Sequence, residues 1–162
     1  MTYKQQYIAF QTIVIKEILR FMRIWIQTIL PPAITTTLYF VIFGNLIGSQ
    51  IQDMDGFSYM DYIVPGLILM AIITNAYANV VSSFYGSKFQ RNVEEMIISP
   101  TPNYVILLGF VAGGVARGII VGIVVTLVAL LFTDLQIHNF LITAIVIVLT
   151  ATLFSLGGFI NA

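Results

Sequence analysis

The chain contains no cysteine, which excludes disulfides and thiolate metal sites. Its one histidine is His138, so no multi-histidine metal centre can be built within it. Charge is also scarce: 9% of the 162 residues are Asp, Glu, Lys or Arg, against about 25% in an ordinary soluble domain. The formal net charge is +0, giving neither the basic excess that would suggest nucleic acid nor an acidic tail. No GxxxxGK[ST] run is present, and Gly86, Ser87 and Lys88 cannot make a phosphate-cradling loop of that kind. A nucleotide that drives this protein therefore has its site on another chain, and no cofactor is expected on this one. No Asp or Glu lies inside an apolar span, which weighs against a secondary, proton-coupled carrier. No nucleophile, base and oxyanion grouping stands out, so an intramembrane enzyme is the weakest reading.

What the chain does have is apolar surface. Hydrophobic residues make up 59%, and the mean hydropathy is +0.97. The runs are too long for core helices of a soluble fold, so the class is an all-α integral membrane protein in the lipid bilayer. Residues 3–23 carry a polar stripe, Thr12, Lys16, Arg20 and Arg23, opposite Phe10, Val14, Ile18 and Phe21. That spacing predicts an amphipathic helix lying in the membrane interface. No cleavage signal follows it, so this end is not expected to be removed. The first span is uncharged over residues 24–47, about 36 Å of helix against a hydrocarbon core of roughly 30 Å. Pro31 and Pro32 should kink it or free carbonyls, with Thr35, Thr36 and Thr37 placed to help. Further spans are read at 63–84, 104–132 and 140–162. Pro65 and Gly66 fall at the start of the second, where they cost little. The connection at 48–62 holds Asp53, Asp55 and Asp61, read as a solvated outward loop, and the turn at 133–139 holds Asp134 and His138. The chain is still apolar at Ala162, and it is expected to be a fragment of a longer one; residues 1–162 form a single partial transmembrane domain.

Orientation follows from the basic residues. Lys4, Lys16, Arg20 and Arg23 precede the first span, Lys88 and Arg91 lie between the second and third, and neither of the other two connections has any. The positive-inside rule then places the N-terminus and the 86–102 loop in the cytoplasm.

That loop, GSKFQRNVEEMIISPTP, is the one charged interruption that looks built. Phe89, Val93, Met96 and Ile97 fall at i, i+4, i+7 and i+8 on one helical face, while Lys88, Arg91, Asn92 and Glu95 fall on the other. Pro100 and Pro102 should stop the helix near Ile98. The spacing predicts a short amphipathic helix at 88–98. Arg91, Glu94 and Glu95 mix both signs, which suits a protein surface better than an anionic lipid surface. A docking element and a simple interfacial loop helix both remain open on this pattern.

Within the spans, Arg117 sits near the middle of the third, where a basic residue costs about 2.5–3.5 kcal/mol. Gly109, Gly113, Gly114, Gly118 and Gly122 flank it at GxxxG spacing, which permits close helix approach. Arg117 is read as functional or buried, with a snorkelling structural role as the alternative. Asn75 and Asn79 lie one turn apart and are read as interhelical hydrogen-bonding residues, with a pathway role as the alternative.

The succession of KEILRFMRIW, PPAITTTLYFVIFGNLIG, GFSYMDYIVPGLILMAIITNAYANV and SKFQRNVEEMIISPTP closely resembles ABC-2-type exporter permeases of the bacterial inner membrane. VPGL, NAYANV and FQRNxEExxxxP carry the resemblance, which runs from about Lys16 to Ala162. It implies a six-span, multi-pass permease that forms a homodimer and binds two copies of a separate ATPase subunit, exporting a substrate with ATP and Mg held on that partner. It also implies that residues 88–98 are the coupling helix, with Lys88, Phe89, Arg91, Val93, Glu94, Glu95, Met96 and Ile97 engaging the ATPase. Residues 3–23, with Lys16, Arg20 and Arg23, resemble the connecting helix. Four of the six spans are expected here. A membrane anchor that recruits a cytoplasmic partner without transport is the rival reading, and a secondary carrier ranks third.

Overall fold

A computed structural model of the chain describes residues 2–47, 59–133 and 139–162. Asp53, Asp55, Asp134 and His138 lie outside the described residues. Among those described the structure is helical, without strands. Helix α1 runs Tyr3–Arg23, and Gln5 Oε1 accepts from the Thr2 backbone N–H at 2.9 Å to start it. Arg20 and Arg23 in its last turn complement the helix dipole. The helix breaks at Ile24, whose backbone leaves the helical region at φ −113° and ψ 35°. The hydroxyl of buried Thr28 reaches back across this break to the Phe21 carbonyl at 3.3 Å, satisfying a group that the lost turn exposes.

Helix α2, Trp25–Tyr39, passes through Pro31 and Pro32 without ending. The prolines remove the donors that would meet the Gln27 and Thr28 carbonyls. Thr37, expected to help there, donates instead to the Ala33 carbonyl at 2.8 Å, one turn behind it in its own helix. A π-helical stretch, Phe40–Ile47, continues the element.

Helix α3 spans Tyr59–Phe89. At 31 residues it is about 46 Å long, so it overhangs a bilayer core of roughly 30 Å. Because it starts at Tyr59, Pro65 sits in its second turn and not at its start. Asp61 likewise belongs to the first helical turn, where its carboxylate accepts from the Thr133 hydroxyl and ties the beginning of α3 to the region after α5. The short α4 runs Asn92–Ile98, and α5 runs Asn103–Ala129. Helix α6, Phe140–Asn161, is capped by the Asn139 side chain, which accepts from the backbone of Leu141 at 3.1 Å and Ile142 at 3.3 Å. Among the described residues, four helices are long and apolar enough to cross a membrane: Trp25–Phe43, Tyr59–Phe89, Asn103–Ala129 and Phe140–Asn161. With the composition, this establishes an all-α membrane protein.

Helix α5 is the axis of the bundle, and its glycines set which neighbour approaches where. A Cβ at Gly109 would lie 2.6 Å from Ile13 and one at Gly113 2.5 Å from Glu17, so these two positions admit α1. Gly114, Gly118 and Gly122 face Val80, Ala76 and Ile72, and so admit α3. The numbers rise together along α1 and α5, and Gln6 meets Tyr104 through a 2.9 Å hydrogen bond in the same register. Helix α1 therefore runs parallel to the first half of α5, lengthwise along the bundle. The gap left by Gly109 and Gly113 holds α1 against α5. Apolar clusters close the bundle at Val80, Phe84, Ile106 and Phe110, at Phe40, Val64 and Ala129, and at Ile72, Ala76 and Ala151. Large apolar side chains, among them Leu127, Leu149 and Leu153, face outward, as expected of helices solvated by lipid.

Candidate functional site

Two features stand out: a polar network at the junction of α1, α3 and α5, and the turn from α3 into α4. The network begins with Glu17, which is fully buried. One carboxylate oxygen accepts from the Ser83 hydroxyl at 2.7 Å, and the other lies 3.3 Å from the Arg20 guanidinium. Arg20 also donates to the Asn79 side-chain oxygen at 2.9 Å and to the Asn79 carbonyl at 3.1 Å. One turn earlier on α3, the Asn75 side-chain oxygen accepts from Arg117 of α5 at 3.3 Å. Two asparagines on one face of α3 thus each receive a guanidinium, one from α1 and one from α5. Among the described residues, Arg20–Glu17 is the ion pair that forms within bonding distance. Both of its groups are largely withdrawn from water, so its desolvation cost is high and its loss would be costly too.

This arrangement revises the polar stripe on α1. Thr12, Lys16 and Arg23 are exposed, and the Lys16 ammonium lies 5.9 Å from the Phe110 ring centroid. Arg20 instead turns inward, with its side chain 31% exposed. The buried face follows Ile13, Glu17 and Phe21, at i, i+4 and i+8. Glu17 was not among the residues singled out from the sequence; a carboxylate on the apolar stripe, three residues before an arginine, was the signal for it. The four spans hold no carboxylate in their apolar runs, yet the bundle they form encloses this one.

At the other feature, α3 ends at Phe89 and Arg91 adopts the left-handed conformation, φ 60° and ψ 11°. Helix α4 then starts afresh at Asn92. A continuous helix over 88–98 is therefore not formed: Lys88 and Phe89 complete α3, and the turn at Arg91 changes the register between Phe89 and Val93. The expected apolar face divides in consequence. Val93 and Met96 pack on the cluster of Phe84, Ile106 and Phe110, whereas Phe89 is 81% and Ile97 63% exposed. Ile98 is 84% exposed beside them. Arg91, Glu94 and Glu95 are exposed, and no ion pair joins Arg91 to either glutamate. The Lys88 ammonium sits 5.0 Å from the Phe84 ring centroid. Helix α4 ends at Ile98, where Ser99 takes the extended conformation that the following Pro100 favours. Val93, Met96 and Ile97, with Phe84, Tyr104 and Phe159, line a groove of about 480 Å³.

A left-handed arginine stores about 1–3 kcal/mol of backbone strain. Arg91→Gly is expected to relieve part of it and raise the thermal unfolding midpoint in detergent, by about 1 kcal/mol of stability. An unchanged or lowered midpoint would show that the arginine side chain supplies more than the backbone loses.

Comparison with known proteins agrees with this architecture. The family model for the ABC-2 type transporter matches residues 8–162. The inner membrane transport permease YadH of Escherichia coli strain K12 is 61% identical over 155 residues, covering 96% of this chain and 60% of the relative. The protein of the same name from Shigella flexneri matches to the same extent. The chain thus spans about three fifths of the length of these curated relatives. No solved structure matches it. On the extent of the family match and the identity to these permeases, the chain belongs to the ABC-2 type transporter family.

Proposed function

We propose that the chain is part of the permease subunit of an ATP-driven exporter in the bacterial inner membrane, and that the α3–α4 turn is the surface it presents to a separate ATPase. Family membership supports the permease reading. One observation carries the docking surface: Phe89, Ile97 and Ile98 are exposed apolar groups set among exposed Lys88, Arg91, Glu94 and Glu95, between the two longest spans. Apolar anchors with a mixed-charge rim suit a protein partner. The basic residues in that turn and around α1 support a cytoplasmic side for it and for the N-terminus.

The division of roles follows from burial. Val93 and Met96 fasten α4 to the transmembrane bundle, Phe89, Ile97 and Ile98 contact the ATPase, and the charged residues set orientation. Movement of the docked ATPases then passes through α4 into α3 and α5, with ATP and Mg held on the partner. A second permease copy completes the assembly, and Asn75, Asn79 and Arg117 tie the helices of each copy together through their interhelical hydrogen bonds.

Charge reversal tests this reading. In the full-length protein co-expressed with its ATPase, Arg91→Glu and Glu95→Lys, made separately, are each expected to lower ATPase recovery with the permease and substrate-stimulated hydrolysis severalfold. Wild-type values for both variants would contradict the docking assignment. Intact recovery with no stimulation by any substrate would favour a recruiting anchor over a transporter.

A further inference from the structure

Glu17 pairs with the cation that needs it less. Arg20 reaches the carboxylate oxygen Oε2 through contacts of 3.3 Å from both its Nε and its Nη2, long for a charge-assisted hydrogen bond. Its Nη2 also donates to the Asn79 side-chain oxygen at 2.9 Å and to the Asn79 carbonyl at 3.1 Å, and its side chain is 31% exposed, within reach of water. Arg117 has neither resource. It meets the neutral Asn75 oxygen at 3.3 Å, its buried Nε has no acceptor among the described residues, and no described carboxylate lies within bonding distance of it. The oxygen that Arg20 touches nevertheless lies beside the turn of α5 that precedes Arg117: a Cβ at Gly113 would be 2.5 Å from the Glu17 Cβ and 3.7 Å from its Oε2. Arg117 stands four residues further on, a spacing that puts Cβ atoms about 5–6 Å apart, and helical side chains lean back toward the preceding turn. An arginine stem covers that separation by rotating about its own bonds. No cavity has to open and no ligand has to enter.

We propose that Glu17 is a shared counter-ion, exchanged between Arg20 and Arg117 through Oε2 while the Ser83 hydroxyl keeps the other oxygen, at 2.7 Å. On exchange Arg20 gives up its long contacts to water and keeps Asn79, and Arg117 Nε gains the acceptor it lacks. A contact that water can replace is thus traded for one that it cannot. The exchange alters which helices are tied. Paired with Arg20, the carboxylate closes a contact within α1; paired with Arg117, it joins α1 to α5. Two discrete arrangements of one packed junction are what a helix contact needs in order to switch. This device lies apart from the α4 surface and does not depend on whether an ATPase docks there.

The test is a distance in the full-length protein in lipid bilayers, read by solid-state NMR between isotope-labelled arginine guanidinium nitrogens and glutamate carboxyl carbons, with thermal unfolding as a check on folding. Contact signal that disappears with Arg117→Met belongs to Arg117, and signal that disappears with Glu17→Gln belongs to this carboxylate. The wild type is expected to hold the Arg117–Glu17 contact in a minor share of molecules. Arg20→Met, which leaves the carboxylate a single cation, is expected to raise that share severalfold, while Lys88→Gln, outside the junction, leaves it unchanged. Should Arg20→Met fail to fold, Arg20→Lys keeps a cation for Asn79 but loses the Nε contact, and a severalfold rise is again expected. A share that does not rise in whichever Arg20 variant folds overturns the exchange, whether it stays at zero, because Arg117 cannot reach Glu17, or is already complete in the wild type, because Arg20 never holds the carboxylate.

Discussion

Glu17→Ala is expected to be among the most damaging single changes in this chain, costing about 3–5 kcal/mol of stability. Removing the carboxylate leaves the Arg20 guanidinium without a counter-charge, strips the Ser83 hydroxyl of its acceptor and opens a gap opposite Gly113. Because Arg20 keeps its bonds to Asn79 and is partly exposed, the loss belongs at the lower end of that range. Glu17→Gln should be milder, since an amide oxygen can still accept from Ser83. The more telling variant is the double change Glu17→Leu with Arg20→Met. Replacing both members of a buried pair with apolar groups of similar volume is commonly neutral or stabilising, so the double variant should recover most of the single variant's loss. Thermal unfolding in detergent reads all three. A double variant as unstable as Glu17→Ala would mean that the pair itself, and not the stranded charge, holds α1 in place.

Gly114→Val has the second large expected effect. Even a Cβ at this position would lie 2.5 Å from Val80, 2.6 Å from the Ser155 hydroxyl and 2.9 Å from the Ala76 carbonyl oxygen. The last of these is backbone on α3, which cannot turn aside as a side chain can. The helices must separate, and overpacking of this kind costs typically about 1–3 kcal/mol and more where backbone is involved. Recovery of folded protein should fall severalfold. Gly66→Ala is the matched control: nothing lies within 4 Å of a Cβ there, and alanine's better helix propensity should leave stability equal or slightly higher. Equal loss at both positions would contradict the close α3–α5 approach.

Much of this was legible in the sequence because bilayer solvation writes itself into composition. Long uncharged runs identify helices that must satisfy their own backbone in lipid, and four such helices are present among the described residues. GxxxG spacing marked α5 as the element approached closely, and the prolines at 100 and 102 marked where α4 stops. What the sequence did not display was which neighbour each glycine admits, because that depends on three-dimensional register. Arg91 is instructive for the same reason. Helical periodicity joined Phe89 to Val93 across a position that has no glycine or proline to announce a break, yet the backbone turns left-handed there. Glu17 was overlooked because a lone acid beside Lys16 and Arg20 looks like part of a solvated face. Its burial follows from the gap at Gly113 on a helix 96 positions away.

These 162 residues hold no cysteine, so the most direct measurement needs none of them replaced beforehand. Single cysteines placed at Phe89, Ile98 and Leu131 in the full-length permease, each largely exposed, can be cross-linked in membranes to the co-expressed ATPase. Phe89→Cys and Ile98→Cys should each give a permease–ATPase adduct, and Leu131→Cys, at the opposite end of α5 from α4, should give none. Adducts from Leu131→Cys, or none from the two positions flanking α4, would contradict a cytoplasmic ATPase docked on the α3–α4 turn.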